Sequence, residues 1–148
     1  MSKTTKQMLG ELGEKLVVKR CRCPKCKRER TLRLLPKNFK CADVVCDFCG
    51  YLAQVKTSSV SDITVPPKKL ISAAWKPQEE RMKAGIYFPL FLVLVNDRAK
   101  AVYYLSADLQ SPEMFIKRKP LSSTARRAGW LGFYYDLEAV EEALVRLI

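Results

Sequence analysis

Histidine is absent from this chain. That gap removes Ser-His and Cys-His catalytic pairs and every zinc site that needs an imidazole. Long apolar runs are absent too. Nothing approaches the roughly 18 residues a membrane-spanning helix requires, so no membrane partner is expected. The N-terminal stretch MSKTTKQMLGELGEK lacks the apolar segment of a secretory signal, and a cytoplasmic protein is the expectation. Acids are scarce: 15 Asp and Glu stand against 27 Lys and Arg, a formal net charge of +12 over 148 residues. An imbalance of that sign draws polyanions, nucleic acid first. There is no low-complexity tail and no internal repeat beyond two cysteine pairs. The length suits one domain, residues 1–148, with a core of its own.

The charge that is present is clustered. Between Lys19 and Lys40 the only acid is Glu29, among Lys19, Arg20, Arg22, Lys25, Lys27, Arg28, Arg30, Arg33, Lys37 and Lys40. A second basic group is Lys117, Arg118, Lys119, Arg126 and Arg127. Two such groups flanking a site suit a groove that tracks phosphates. DNA is the expected partner, with Arg118, Lys119, Arg126 and Arg127 as candidate phosphate contacts.

Six cysteines remain to be placed. Cys23-Pro24-Lys25-Cys26 and Cys46-Asp47-Phe48-Cys49-Gly50 are two C-x-x-C knuckles, turns that aim a pair of sulfurs at one metal. Residues 27–45 separate them, a gap within the range of about 15–20 residues used by four-cysteine zinc sites. Structural zinc on Cys23, Cys26, Cys46 and Cys49 follows. Cys21 can replace Cys23, because C-x-C-x-x-C leaves that choice open. Cys41 reads as a small buried hydrophobe in a strand. Neither pair opens a helix in a βαβ unit, which argues against thiol redox chemistry.

The second knuckle lies inside the stretch Lys40–Thr57, which reads as two strands joined by a tight turn. If Lys40–Val45 and Tyr51–Thr57 pair antiparallel, Asp43 lies roughly opposite Gln54, with Cβ atoms about 5 Å apart. Alternation turns Gln54 and Lys56 to one face, and Tyr51, Ala53 and Val55 to the other. Asp43, the amide oxygen of Gln54 and the carbonyl of Val55 are oxygen ligands of the kind Mg²⁺ takes. The Lys56 ammonium suits a water or a phosphate that gathers charge.

Around this hairpin the periodicity predicts further elements. Thr4–Arg20 is an amphipathic helix with Met8, Leu9, Leu12, Leu16 and Val17 on one stripe. Gly10 and Gly13 inside it cost about 1 kcal/mol each, which predicts close packing there. Glu14, mid-helix, is either a solvated acid or a site ligand. Thr31–Leu35 is a short strand. Pro66-Pro67 opens a helix from Lys68 to Lys83, bent near Pro77. Tyr87–Val95 is the central strand, covered on both faces, and Lys100–Ser106 returns beside it. Ser111-Pro112-Glu113 opens a short helix, Lys117–Phe133 is a basic loop, and Leu137, Val140, Leu144, Leu147 and Ile148 stripe a C-terminal helix.

Taken together these residues resemble the PD-(D/E)xK nuclease superfamily, and more closely the catalytic domain of the DpnI-type restriction endonucleases. Three features carry the likeness. One is the order C-P-x-C, Asp43-x-x-Cys46-x-x-Cys49, then Gln54-Val55-Lys56. The second is Arg118-Lys119-Pro120-Leu121 followed by Thr124-Ala125-Arg126-Arg127-Ala128-Gly129-Trp130 and Gly132. The third is Gly10-Glu11-Leu12-Gly13-Glu14, similar to a first-helix G-x-x-G-E. The resemblance implies an α/β fold: a restriction-endonuclease-like central mixed sheet flanked by helices, with the four-cysteine zinc knuckle inserted. It implies a metal-dependent DNA endonuclease that leaves 5′-phosphate and 3′-hydroxyl ends. Asp43 would be the metal carboxylate, Gln54 the second Mg²⁺ position, Lys56 the catalytic lysine and Glu14 an extra carboxylate. Gln54 departs from the usual Glu or Asp and removes a negative ligand charge, so Mg²⁺ would be held less strongly, a loss Glu14 would offset. Those enzymes continue into a winged-helix domain, so their recognition of methylated GATC is not carried over. Cutting both strands calls for two sites, which admits a homodimer. The alternative is a zinc-stabilised DNA-binding protein that kept the fold without the chemistry.

Overall fold

The computed structural model describes residues 4–37, 39, 42–74, 76–117 and 131–148. It opens with helix α1 (Thr5–Arg20), and local chemistry sets its start. The Thr4 hydroxyl accepts from the Gln7 N–H while the Gln7 side chain accepts from the Thr4 N–H, a reciprocal capping box. There follow β1 (Leu32–Leu34), β2 (Val44–Cys46), β3 (Leu52–Ser59), β4 (Lys69–Ala74), α2 (Lys76–Lys83), β5 (Leu90–Val95), β6 (Lys100–Leu105), β7 (Phe115–Lys117), β8 (Leu131–Asp136) and β9 (Val145–Arg146). Short 3-10 turns occupy Ala107–Leu109, Pro112–Met114 and Glu138–Ala143.

The strands form a six-stranded sheet in the order β1-β2-β3-β5-β6-β9 and a three-stranded sheet in the order β4-β8-β7. The larger sheet is mixed: β3 and β5 run parallel, and its other neighbours antiparallel. β5 is its axis. All six residues of this strand are buried, and they sort by parity. Leu90, Leu92 and Leu94 join a cluster with Leu70, Met114, Tyr135 and Leu137, on the side of the smaller sheet. Phe91, Val93 and Val95 join Val17, Leu32, Val44 and Val55, on the side of α1 and the knuckles. An unbroken apolar run is what a strand covered on both faces must have, so the expected central strand is found, beginning at Leu90 instead of Tyr87.

Gly13 sets the distance between α1 and the sheet. A Cβ there would lie 1.8 Å from Thr57 Oγ1 and 3.0 Å from Thr57 Cβ, so only glycine lets helix and β3 meet. This close approach also turns the helix. Gly13 and Val17 are buried with Leu9 and Leu16 packed beside them, while Met8 and Leu12 of the expected stripe face outward. Gly13→Ala should cost about 2–3 kcal/mol by overpacking. Thr57→Ala in the same chain should recover part of that, because Thr57 Oγ1 is buried and gives up no hydrogen bond. Denaturant melts of the single and double variants check both statements, and a Gly13→Ala protein as stable as wild type would refute the first.

Two expected helices are replaced. The Lys68–Lys83 helix is a strand, β4, followed by the shorter α2. Six consecutive residue pairs with β8, Lys69↔Asp136 to Ala74↔Leu131, outweigh the helical spacing. Pro77 is then the second residue of α2, in the first turn, where its missing N–H breaks no intrahelical bond. The expected C-terminal helix is a 3-10 segment, Glu138–Ala143, running into β9. There the open edge of β6 captures the chain through Tyr103↔Arg146 and Tyr104↔Val145, and the Leu147 N–H bonds Val102 O at 2.7 Å. The expected short helix after Ser111 is the Pro112–Met114 turn, leading directly into β7. Cys41, Trp75, Arg118, Lys119, Arg126, Arg127 and Trp130 lie outside the described residues.

Candidate active site and metal centre

The two C-x-x-C turns come together. The sulfurs of Cys23, Cys26, Cys46 and Cys49 all lie within 4.8 Å of one another. Cys23 Sγ is 3.5 Å from Cys49 Sγ, and Cys26 Sγ is 3.8 Å from Cys46 Sγ. A tetrahedron with metal–sulfur bonds of about 2.3 Å has edges of roughly 3.8 Å, so the four sulfurs fit a metal ion such as zinc. Cys21 is buried outside this group, and burial pushes its thiol up to about 11. The choice left open between Cys21 and Cys23 therefore falls to Cys23. At Cys46 burial opposes ionisation, but the Thr31 hydroxyl and the Cys49 and Phe48 N–H groups outweigh it and bring the thiol to about 6.

The two turns share a geometry. The Lys27 N–H bonds Cys23 O at 2.9 Å, and the Gly50 N–H bonds Cys46 O at 2.9 Å. Each closing residue is left-handed, Gly50 at φ 79° and Lys27 at φ 64°. That region costs a side-chain-bearing residue roughly 1–2 kcal/mol and glycine almost nothing. Lys27→Gly should therefore stabilise the protein by about 1 kcal/mol, raising the melting temperature by roughly 3 °C. Gly50→Ala should lower it similarly. A lowered melting temperature for Lys27→Gly would contradict this account.

Below the second knuckle the strands reach Asp43. Val44 pairs with Ala53, yet the Asp43 N–H also bonds Ala53 O at 2.9 Å. Two residues therefore address one, as in a β-bulge, and Asp43 does not sit squarely opposite Gln54. Its carboxylate accepts from the Val55 N–H at 2.7 Å. Asp43 and Glu14 line one cleft of about 320 Å³ with Gln7, Gly10, Glu11, Leu35, Pro36 and Lys37. At the cleft wall Lys37 Nζ pairs with Glu11 at 2.9 Å.

Both carboxyls are held above their ordinary range. For Asp43, burial raises it against the opposing Val55 N–H and Lys56 ammonium. For Glu14, burial comes first, then the negative charges of Asp43 and Glu11, against Lys37 and Lys56. Asp43, Glu14 and Lys56 thus feel one another's charge. Two acids that repel in a half-buried cleft form a donor set suited to a hard divalent cation. Gln54 is buried, and its amide oxygen accepts from the Tyr135 hydroxyl of β8 at 3.1 Å. Sequence reasoning misses Tyr135, because β8 falls within stretches that read as a loop and a helix cap. Glu11 and Lys37 are visible there only as members of a helix and a basic run.

The chain matches the family described as DpnI, the Dam-replacing family, over residues 1–148. Among solved structures it is similar to Archaeoglobus fulgidus Hjc, a Holliday junction resolvase from an archaeal hyperthermophile. The two share 14% sequence identity over 78% of this chain and 76% of that chain, with a TM-score of 0.33.

Proposed function

The chain belongs to the Dam-replacing DpnI family, and on that premise we propose that it is a metal-dependent endodeoxyribonuclease hydrolysing phosphodiester bonds. The observation that carries this reading is the cleft where Asp43 and Glu14, both with raised pKa values, meet the influence of Lys56. Burying two mutually repelling carboxylates is costly, and a cation between them removes the cost.

In this reading Asp43 and Glu14 hold Mg²⁺ in their shared cleft, and Gln54, which lines a separate cavity with Tyr87, Gln110 and Tyr135, would have to turn out of it to join them. When bound, the cation supplies Lewis-acid polarisation of the scissile phosphate and a more acidic water. The chain's own groups do the rest. The Val55 N–H fixes the Asp43 carboxylate, and the Tyr135 hydroxyl fixes the Gln54 amide. Lys56 places a positive charge where the phosphate oxygens gather negative charge. Zinc on the four cysteines is structural and holds the turn that follows β2. DNA is the partner, met through the basic clusters, and a homodimer would bring a second site to the opposite strand.

One observation favours a second reading, a zinc-stabilised DNA-binding protein without catalysis. The second metal position is a neutral amide whose oxygen already accepts from Tyr135. Plasmid and single-stranded DNA incubated with the protein in Mg²⁺ or Mn²⁺, beside Lys56→Ala, decide between them. Nuclease action predicts metal-dependent nicks that disappear in Lys56→Ala. No cleavage with either metal, with DNA binding intact, selects the binder.

A further inference from the structure

The tip of the second knuckle carries a feature that neither metal holding nor hydrolysis uses. Phe48, between Cys46 and Cys49, is 60% exposed, the most exposed large apolar side chain among the described residues. A lone exposed Phe is ordinary. This one is not bare, because the Arg28 guanidinium of the other knuckle lies over its ring, 3.7 Å from the centroid. One face of the ring is backed by a cation and the outer face is left to solvent.

The surroundings are selective in charge. Lys25, Lys27 and Arg30 are exposed on the first knuckle. The acids nearby are engaged: Asp47 pairs with Arg33 at 3.1 Å, and Glu29 with Arg22 at 3.1 Å. The tip therefore presents a flat ring backed by the Arg28 cation, and the facing knuckle's sequence is rich in exposed cations. The Cys46 carbonyl and sulfur, bonded by the Gly50 and Cys49 N–H groups, hold it rigid. A stacking surface beside positive charge is how proteins hold unpaired nucleobases without reading their sequence. The tip also has a useful address. The knuckle that carries Phe48 follows directly on β2, the strand that leaves Asp43.

We propose that Phe48, backed by Arg28, is a stacking platform for an unpaired base flanking the cleavage cleft, so that the protein prefers single-stranded or locally opened DNA. The proposal rests on the reading of the chain as a DNA-acting protein and adds the form of DNA it grips.

The test uses the zinc-loaded chain with Ca²⁺ in place of Mg²⁺, and oligonucleotides carrying 2-aminopurine at successive positions. Wild type should quench the probe at one or two positions of a single strand and bind that strand more tightly than the matching duplex. Phe48→Ala should weaken single-strand binding by roughly ten- to hundredfold and abolish the quench, with duplex binding changed less than twofold. Phe48→Trp should keep both. Zinc content, measured for each variant, should stay at the wild-type value. If Phe48→Ala binds single strands like wild type, or loses single strand and duplex equally with zinc retained, the platform is wrong while the nuclease reading stands. If wild type binds no DNA in either form, both fall together.

Discussion

Removing the metal from the four-cysteine centre should lower the melting temperature by roughly 10–20 °C, the equivalent of about 5 kcal/mol. The expected size follows from what the centre joins. Cys23 and Cys46 are not surface residues: both are buried in the same cluster as Leu32, Val44 and Phe91. Among the described residues the ladder they close is short, with three residue pairs between β1 and β2 and two between β2 and β3. Without a metal, four sulfurs crowded within 4.8 Å have nothing to bind, and one core seam loses its pin. Cys46→Ser should lose the metal and the stability together. Cys21→Ala should keep the metal and lose only what burying a small thiol contributes, about 1 kcal/mol. Metal analysis beside thermal melts reads both. A Cys46→Ser protein that retains a full equivalent of zinc would refute the assignment, as would a chelated protein that melts with the untreated one.

That centre is the most legible part of the sequence because its ligands are local. A C-x-x-C turn fixes two sulfurs by itself, and only the meeting of two such turns needs the fold. β5 is legible for a similar reason, since a strand covered on both faces must be apolar at every position. The misread elements share a cause as well. β4 and the Glu138–Ala143 segment carry apolar spacings compatible with a helix, and what makes β4 and β9 strands is a partner far away in sequence. β8 holds β4 through six pairs, and β6 holds β9. No window of neighbouring residues contains that information. At the site, Asp43 and Lys56 can be read from their spacing around the knuckle. The bulge at Asp43 and the cleft it shares with Glu14 cannot, nor can Tyr135, which is 81 residues from the amide it contacts.

The bulge has a thermodynamic signature, and the second large effect is expected there. Asp43→Asn should reduce cleavage by about a thousandfold while making the divalent-free protein more stable at pH 8. The sign follows from the raised carboxyls. A group whose folded pKa lies above its unfolded value is easier to ionise in the unfolded chain. Its cost to stability is absent below the ordinary carboxylate pKa, near 4, and is fully present above the raised one. Asparagine keeps an oxygen for the Val55 N–H, bonded at 2.7 Å in the wild type, and carries no charge to bury. The gain in melting temperature at pH 8 should therefore vanish below about pH 4. Mg²⁺ should reverse the order, stabilising wild type and leaving Asp43→Asn nearly unmoved. Lys56→Ala should separate the roles. Its ammonium lowers the pKa of both Asp43 and Glu14 and repels a cation. Losing it should cost turnover by a similar factor while metal affinity holds or rises. Single-turnover cleavage and calorimetric Mg²⁺ titration of the three proteins, at matched DNA occupancy, measure each term. Cleavage by Asp43→Asn within tenfold of wild type would remove that carboxylate from the chemistry. A stability loss at pH 8 would show that its charge is satisfied by the fold itself, without a cation.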